Sequence, residues 1–135
     1  MESLPPRILL VDDDKSVRET LYTILERDGY EVLVSNNGPD AVSIFHRSVR
    51  AIDLLVTKYN MPRMSGVELA RECSRLGGDV KVLYLSGSNP NEELQTELQT
   101  RPCGFLAEPI RGGELLRKTR ELLLMESAGH LALIS

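Results

Sequence analysis

The sequence has 135 residues, of which 41% are hydrophobic and 27% are charged, and its formal net charge is −4. These values are typical of a single soluble globular domain that is large enough to bury a core. The acidic balance argues against a nucleic-acid surface, and no apolar run is long enough to span a membrane. Cys73 and Cys103 lack the spacing of a metal site or a CxxC motif, and we find no signal peptide. We therefore expect a reduced, cytoplasmic environment.

Hydrophobic periodicity predicts five strands that alternate with five helices. Residues 1–6 form a Pro-containing N-terminal segment that we expect to be flexible, and residues 126–135 form a weakly patterned tail or linker stub. The predicted strands are residues 7–11, 31–35, 54–57, 80–86 and 104–107. The predicted helices begin near residues 15, 39, 65, 90 and 113. A single domain over residues 7–125 follows.

Side chains near the predicted helix starts fit capping roles. Asp14 is a candidate N-cap of the first helix, and Asn89 followed by Pro90 is the predicted start of the fourth. The fourth helix is polar, with only Leu94 and Leu98 as apolar anchors. We expect it to be a mobile element that a partner could order. In the loop after the third strand, we expect Gly66 to allow a positive φ.

Charged and polar residues follow four of the strands. Asp12, Asp13 and Asp14 come after the first strand, Lys58 after the third, Ser86 at the end of the fourth and Glu108 after the fifth. Alternating strands and helices predict a parallel sheet covered on both faces, so these residues should meet at one edge. Paired carboxylates suit Mg²⁺, whereas hydroxyl and ammonium groups bind phosphoryl oxygens.

Four segments together carry a resemblance to a known family: ILLVDDD (8–14), TKYNMPRMSG (57–66), LSG (85–87) and FLAEP (105–109). Across about residues 7–125 the chain resembles a response-regulator receiver domain of two-component phosphorelays, similar to the chemotaxis regulators. The resemblance implies a flavodoxin-like, doubly wound α/β fold whose five parallel strands have the order 2-1-3-4-5. It also implies an acidic Mg²⁺ pair at Asp12 and Asp13, a switch hydroxyl at Ser86 and a switch aromatic ring at Phe105.

Two positions depart from the family pattern. Lys58 stands where the family has its phosphoacceptor Asp, and Glu108 stands where the family has a Lys before the proline. An amine cannot form an acyl phosphate, so we predict that the chain has no catalytic nucleophile and is not an enzyme. We expect a phosphorylation-independent protein-interaction module that needs no cofactor. Mg²⁺ binding should be weak, because one carboxylate ligand is replaced by a cation.

The two departures exchange charges between positions. Asp12, Asp13, Glu108 and Lys58 still carry a formal charge of −2, and we predict an ion pair between Lys58 and Glu108. Alternatively, the ammonium lies against Asp12 and Asp13, in the space that a metal would use. Lys58 could also be a solvated lysine without a role, or a change introduced at the acceptor position.

The expected partner is a signalling protein, which can be a histidine kinase, an output domain or another receiver. The resemblance implies a contact surface formed by the fourth helix, the fifth strand and the fifth helix. We expect no contact with nucleic acid or membrane. The alternative function is a haloacid-dehalogenase-type phosphohydrolase that uses Asp12 and Asp14, although no later acidic metal motif is present. A flavodoxin-like cofactor binder is less favoured, because no Gly-rich phosphate loop follows the first strand.

Overall fold

The computed structural model describes residues 4–48, 50–78 and 80–125. Five strands and five helices alternate in these residues: β1 (Arg7–Val11), α1 (Lys15–Arg27), β2 (Glu31–Ser35), α2 (Gly38–Arg47), β3 (Leu54–Lys58), α3 (Gly66–Gly77), β4 (Val82–Ser86), α4 (Glu92–Thr100), β5 (Cys103–Ala107) and α5 (Gly112–Leu124). The predicted tail at 126–135 and the first three residues of the N-terminal segment lie outside the described residues. None of the helices described is long and apolar enough to cross a membrane.

The five strands form one parallel sheet with the order β2-β1-β3-β4-β5. Leu9 of β1, for example, lies beside Leu33 of β2 on one side and Leu55 of β3 on the other. The predicted flavodoxin-like, doubly wound architecture is therefore confirmed. Because all the strands run in the same direction, their carboxyl ends share one edge of the sheet.

Alternate residues of the strands fill two hydrophobic layers, as the period of two in a strand requires. One layer joins strand residues to α2, α3 and α4: Leu9, Val11, Leu55 and Tyr84 with Ala41, Ala70, Cys73 and Leu94. The other joins them to α1 and α5: Ile8, Leu10, Val56 and Leu83 with Leu21, Leu25, Leu115 and Leu122. The central strands are covered on both sides, which holds the residues at their ends on a rigid base.

The start of α4 differs from the prediction. The helix begins at Glu92, and its N-cap is Asn91, whose side chain accepts a hydrogen bond of 2.9 Å from the Leu94 N–H. The predicted cap at Asn89 and start at Pro90 are therefore wrong. Both asparagines are good cap residues, but only Asn91 lies three residues before the apolar anchor Leu94, a spacing that is visible in the sequence.

Gly66 is required for a reason other than the expected positive φ. A Cβ at Gly66 would lie 2.5 Å from the Lys58 backbone oxygen, so the start of α3 can approach the end of β3 only without a side chain there. The positive φ in this loop, 70°, belongs to Arg63. Ser65 and Glu68 form a capping box that fixes the first turn of α3. The backbone around Lys58 is thus set by close packing.

Candidate functional site

Two loops and two strand ends bring the candidate residues to the carboxyl edge of the sheet. Asp12 and Asp13 follow β1, Lys58 is the last residue of β3, Ser86 is the last of β4, and Glu108 follows β5. The backbone N–H of Glu108 donates to the Ser86 carbonyl at 2.8 Å, which ties the β5 loop to the end of β4. The structure therefore gathers at one edge the residues that the sequence placed at the strand ends.

Asp12 is the most enclosed charged residue at this edge, with only 1% of its surface exposed. Its Oδ1 accepts a hydrogen bond of 2.9 Å from the Asp14 N–H, whereas its Oδ2 is buried without a hydrogen-bond partner in the described part of the chain. Burial raises the pKa of Asp12, although the Asp14 N–H and the Lys58 charge act in the opposite direction. One oxygen of this carboxylate has thus lost its hydration without gaining a hydrogen bond.

Lys58 points its ammonium group at Asp13. The distance from Lys58 Nζ to Asp13 Oδ1 is 3.3 Å, and the Lys58 side chain is 24% exposed. Burial alone would lower the pKa of Lys58, but the contact with Asp13 and the charges of Asp12 and Glu108 outweigh it and raise that pKa. Lys58 is therefore a protonated cation at neutral pH, and it is not a solvated side chain without contacts.

The predicted direct ion pair between Lys58 and Glu108 is absent from the ion pairs of the described residues. In the sheet order, the strand that precedes Asp13 is closer to β3 than the strand that precedes Glu108. Glu108 follows β5, which is two strands away from β3, or about 10 Å at the usual strand spacing. Asp13 follows β1, which is the immediate neighbour of β3. Of the two arrangements considered from the sequence, the one found has the ammonium against the β1 carboxylates, and Glu108 acts on Lys58 at longer range.

The two predicted switch residues have ordinary surroundings. Ser86 is 3% exposed, and its hydroxyl accepts a hydrogen bond of 3.2 Å from the Ser88 N–H within its own loop. Phe105 lies beside Tyr84 in the sheet and is half-buried against the hydrophobic layer under α2, α3 and α4. A switching role for either residue stays a prediction.

Mg²⁺, which the family resemblance implies, fits this edge poorly. The free Oδ2 of Asp12 is the kind of oxygen that a divalent cation binds. However, an ammonium group lies 3.3 Å from Asp13, the second residue of the predicted acidic pair, and would be repelled by the metal. No group of three or more His, Cys, Asp or Glu side chains in the described residues is placed to hold a metal ion.

Asp14 has a structural task that weakens the phosphohydrolase alternative. Its Oδ1 accepts a hydrogen bond of 3.1 Å from the Val17 N–H and caps α1, as the sequence predicted. The carboxylate is thereby held at the helix N-terminus, where the positive end of the helix dipole also favours it. We find no observation that favours a catalytic pairing of Asp12 with Asp14.

Sequence reasoning missed the contacts of Tyr59, the residue after Lys58. Its hydroxyl donates to Glu93 Oε1 at 2.8 Å and accepts from Asn91 Nδ2 at 2.8 Å. These contacts tie the end of β3 to the start of α4. The only available sequence signal was the position of an aromatic residue next to the candidate site, and it carried no information about the direction of the side chain.

Comparisons with known proteins agree with this architecture. A family model described as "Response regulator receiver domain" matches residues 8–120. The response regulator MprA of Mycobacterium leprae (strain TN) is 36% identical over 117 residues, which cover 87% of this chain and 50% of that protein. The chain thus spans about half the length of the curated relatives it matches.

Solved structures give the same result. The non-phosphorylated HemR receiver domain from Leptospira biflexa superposes with a TM-score of 0.79 at 26% identity, covering 90% of this chain and 96% of that one. The receiver domain of the hybrid histidine kinase CckA superposes with a TM-score of 0.73 at 30% identity, covering 87% of this chain and 98% of that one.

Proposed function

The chain belongs to the response-regulator receiver family, and from that premise we propose that it is a phosphorylation-independent protein-interaction module. A receiver domain of a two-component system is a signalling module that contacts kinases and output domains. In the family resemblance, the phosphoryl group is carried by an Asp at the end of the third strand. In this chain that position is Lys58.

The contact of the Lys58 side chain with Asp13 is the observation that carries the proposal. The ammonium group lies 3.3 Å from Asp13, and the surrounding carboxylates raise its pKa. A nucleophile needs a free electron pair, and a protonated amine has none. Even a neutral amine would form a phosphoramidate, which differs in chemistry from the acyl phosphate of the family.

The same ammonium group takes over part of the role of a metal. It places one positive charge beside the acidic residues after β1, where receivers of the usual pattern are expected to bind Mg²⁺. The module therefore requires no cofactor, and its affinity for Mg²⁺ is weak. The arrangement of charges at this edge is permanent, because no step of binding or phosphoryl transfer is needed to establish it.

The proposed partner is another signalling protein: a histidine kinase, an output domain or a second receiver. The family resemblance points to α4, β5 and α5 as the contact surface. The curated relatives that match are about twice as long as this chain. An output activity is therefore proposed for a partner of this chain and not for the chain itself.

Treatment with acetyl phosphate and Mg²⁺, followed by intact-mass measurement, tests the proposal. We expect no added phosphoryl group on the unmodified chain. The double variant Lys58→Asp with Glu108→Lys restores the family residues at both positions and should gain one phosphoryl group. Lys58→Asp alone should react more slowly, because Glu108 repels the incoming anion.

The same samples give a second measurement. Beryllium fluoride with Mg²⁺ should shift the NMR signals of the double variant around Asp12 and Asp13 and leave those of the unmodified chain in place. A stable phosphoryl adduct on the unmodified chain would show that phosphoryl chemistry has been retained, and the proposal would then be wrong.

A further inference from the structure

The buried face of α4 contains an acid. Among the residues of this polar helix, Leu94 and Glu97 are buried and Leu98 is half-buried. Glu97 is only 6% exposed. A carboxylate is seldom buried unless a charged partner and hydrogen bonds compensate for the lost hydration. The position of α4 must therefore satisfy this side chain as well as the two leucines.

Two arginines surround the Glu97 carboxylate, and both connect α4 to α3. Arg71 of α3 reaches Glu97 Oε1 through its Nε and its terminal nitrogen, each at 3.1 Å. Arg101, directly after α4, lies with its Nε 3.2 Å from Glu97 Oε2 in an ion pair without hydrogen-bond geometry. Arg101 also donates to the Ser74 hydroxyl of α3 at 2.7 Å. The planar guanidinium of Arg71 makes its two-point contact sensitive to the position of the helix.

The N-terminal end of α4 is held separately. Tyr59 binds the Asn91 and Glu93 side chains through its hydroxyl, and Asn91 itself caps the helix. Arg71 extends to Glu93 as well, with 3.8 Å between its Nη1 and Glu93 Oε2. We call this set of contacts the α4 clamp; its residues are Tyr59, Arg71, Ser74, Asn91, Glu93, Glu97 and Arg101. It includes none of the four charged residues at the carboxyl edge of the sheet.

We propose that the α4 clamp, with Glu97 as its central positioning residue, fixes α4 on α3 independently of the charges around Lys58. Sliding or tilting of α4 on α3 would separate Glu97 from Arg71 and Arg101 from Ser74, and the buried Glu97 charge would keep only the Arg101 ion pair. The inference rests on the proposed function, because a module without phosphoryl chemistry needs another way to set the surface that its partner contacts. It replaces the expectation of a mobile α4 with a helix held in one position.

Amide hydrogen exchange of the full chain, followed by mass spectrometry of peptides, tests the clamp. In Glu97→Gln, the amides of α4 should exchange about tenfold faster or more, which corresponds to a loss of about 1.4 kcal/mol of local stability. Amides of β1 and β3 should keep their rates. Glu72→Gln is the matched control, because it removes the same group from the exposed Arg75 pair of α3 and should leave α4 unchanged.

Two further variants test whether the α4 clamp is independent of the charges around Lys58. Lys58→Met removes the cation at the carboxyl edge, and α4 exchange should stay within about twofold of the unmodified chain. Arg101→Gln should accelerate α4 exchange in the same way as Glu97→Gln. If Glu97→Gln accelerates all amides equally, Arg101→Gln decides the question: faster exchange confined to α4 supports the clamp, and uniform acceleration overturns it.

Unchanged α4 exchange in Glu97→Gln also overturns the clamp, and so does an effect of Lys58→Met as large as that of Glu97→Gln. These outcomes are distinct from failure of the proposed function. A phosphoryl adduct on the unmodified chain would refute the loss of phosphoryl chemistry, whereas the exchange measurements concern only the unphosphorylated chain.

Discussion

The two ends of the sheet use charged residues in opposite ways. At the amino ends of the strands, Arg7 donates to Glu31 at 2.8 Å and to the Ser48 hydroxyl at 2.7 Å, and Arg50 contacts the other oxygen of Glu31 at 2.5 Å. At the carboxyl ends, Asp12 keeps a buried oxygen without a partner in the described part of the chain. Both oxygens of Glu31 at the amino ends accept hydrogen bonds, whereas only one oxygen of Asp12 at the carboxyl ends does; in the described residues Arg7 Nε is also buried without a hydrogen-bond partner.

This difference shows in the pKa values. Hydrogen bonds from Arg50 and Arg7 lower the pKa of Glu31, because they stabilise its charged form. Burial raises the pKa of Asp12, because its charged form has lost hydration without full compensation. At the amino ends, ion pairs and hydrogen bonds thus hold β1, β2 and the loop before β3 together. The carboxyl ends hold a buried acid, Asp12, at the cost of its lost hydration.

The largest expected change in stability comes from breaking the Arg7 contacts at the amino ends of the strands. Arg7→Ala removes a side chain that is only 13% exposed and leaves Glu31 and Ser48 without a shared donor. We expect it to lower the free energy of unfolding by about 2–3 kcal/mol, measured by urea denaturation.

The control for Arg7→Ala is Arg117→Ala, which removes an exposed guanidinium paired with Glu121 at 3.0 Å. That variant should stay within about 0.5 kcal/mol of the unmodified chain, since exposed ion pairs contribute little. Equal losses in the two variants would mean that the contacts of Arg7 at the amino ends are no stronger than a surface pair.

At the carboxyl ends of the strands, removing a charge is expected to raise the free energy of unfolding instead of lowering it. Asp12→Asn removes a buried charge while keeping the shape of the side chain, so it should raise the free energy of unfolding by about 1 kcal/mol at neutral pH. Glu31→Gln, the same kind of change at the amino ends, should lower it, because Glu31 is stabilised in its charged form. Urea denaturation of the two variants gives the comparison directly.

The pH dependence of Asp12→Asn checks the cause. The pKa of Asp12 is raised in the folded chain, so the unmodified protein gains stability from protonation of Asp12 as the pH falls from that pKa toward the unfolded value of 3.8. The advantage of Asp12→Asn should therefore shrink in acid and vanish below that value. The deficit of Glu31→Gln should also shrink in acid, as Glu31 is protonated through its lowered folded pKa. A constant advantage of Asp12→Asn at every pH would assign it to packing instead of charge.

The sequence predicted the strands and the residues at their ends better than it predicted which of those residues contact each other. The bounds of β1 and β2 agree with the prediction, because alternating or continuous apolar residues identify strands directly. The residues at the strand ends also followed from the pattern. Which of them lie within 4 Å depends on strand order and side-chain length, and this is why Asp13 was found opposite Lys58 in place of Glu108.

The α4 clamp was missed for a related reason. Glu97 lies three residues after Leu94 and one before Leu98, on the helix face that the two leucines share. That spacing was a visible signal that the acid is buried. The partners of Glu97 could not be read in the same way, because Arg71 lies on another helix and its direction is set by the packing of α3 against the sheet.

The smallest expected effect separates the two carboxylates that act on Lys58. Double-mutant cycles measure the coupling of Lys58→Met with Asp13→Asn and with Glu108→Gln, using urea denaturation. The Asp13 cycle should give a coupling of about 0.5–1 kcal/mol, because the two groups are in contact but partly exposed. The Glu108 cycle should give less, since that charge acts only through space. A larger coupling with Glu108 would restore the ion pair expected from the sequence, and Asp13 would then be a neighbour of Lys58 without being its principal partner.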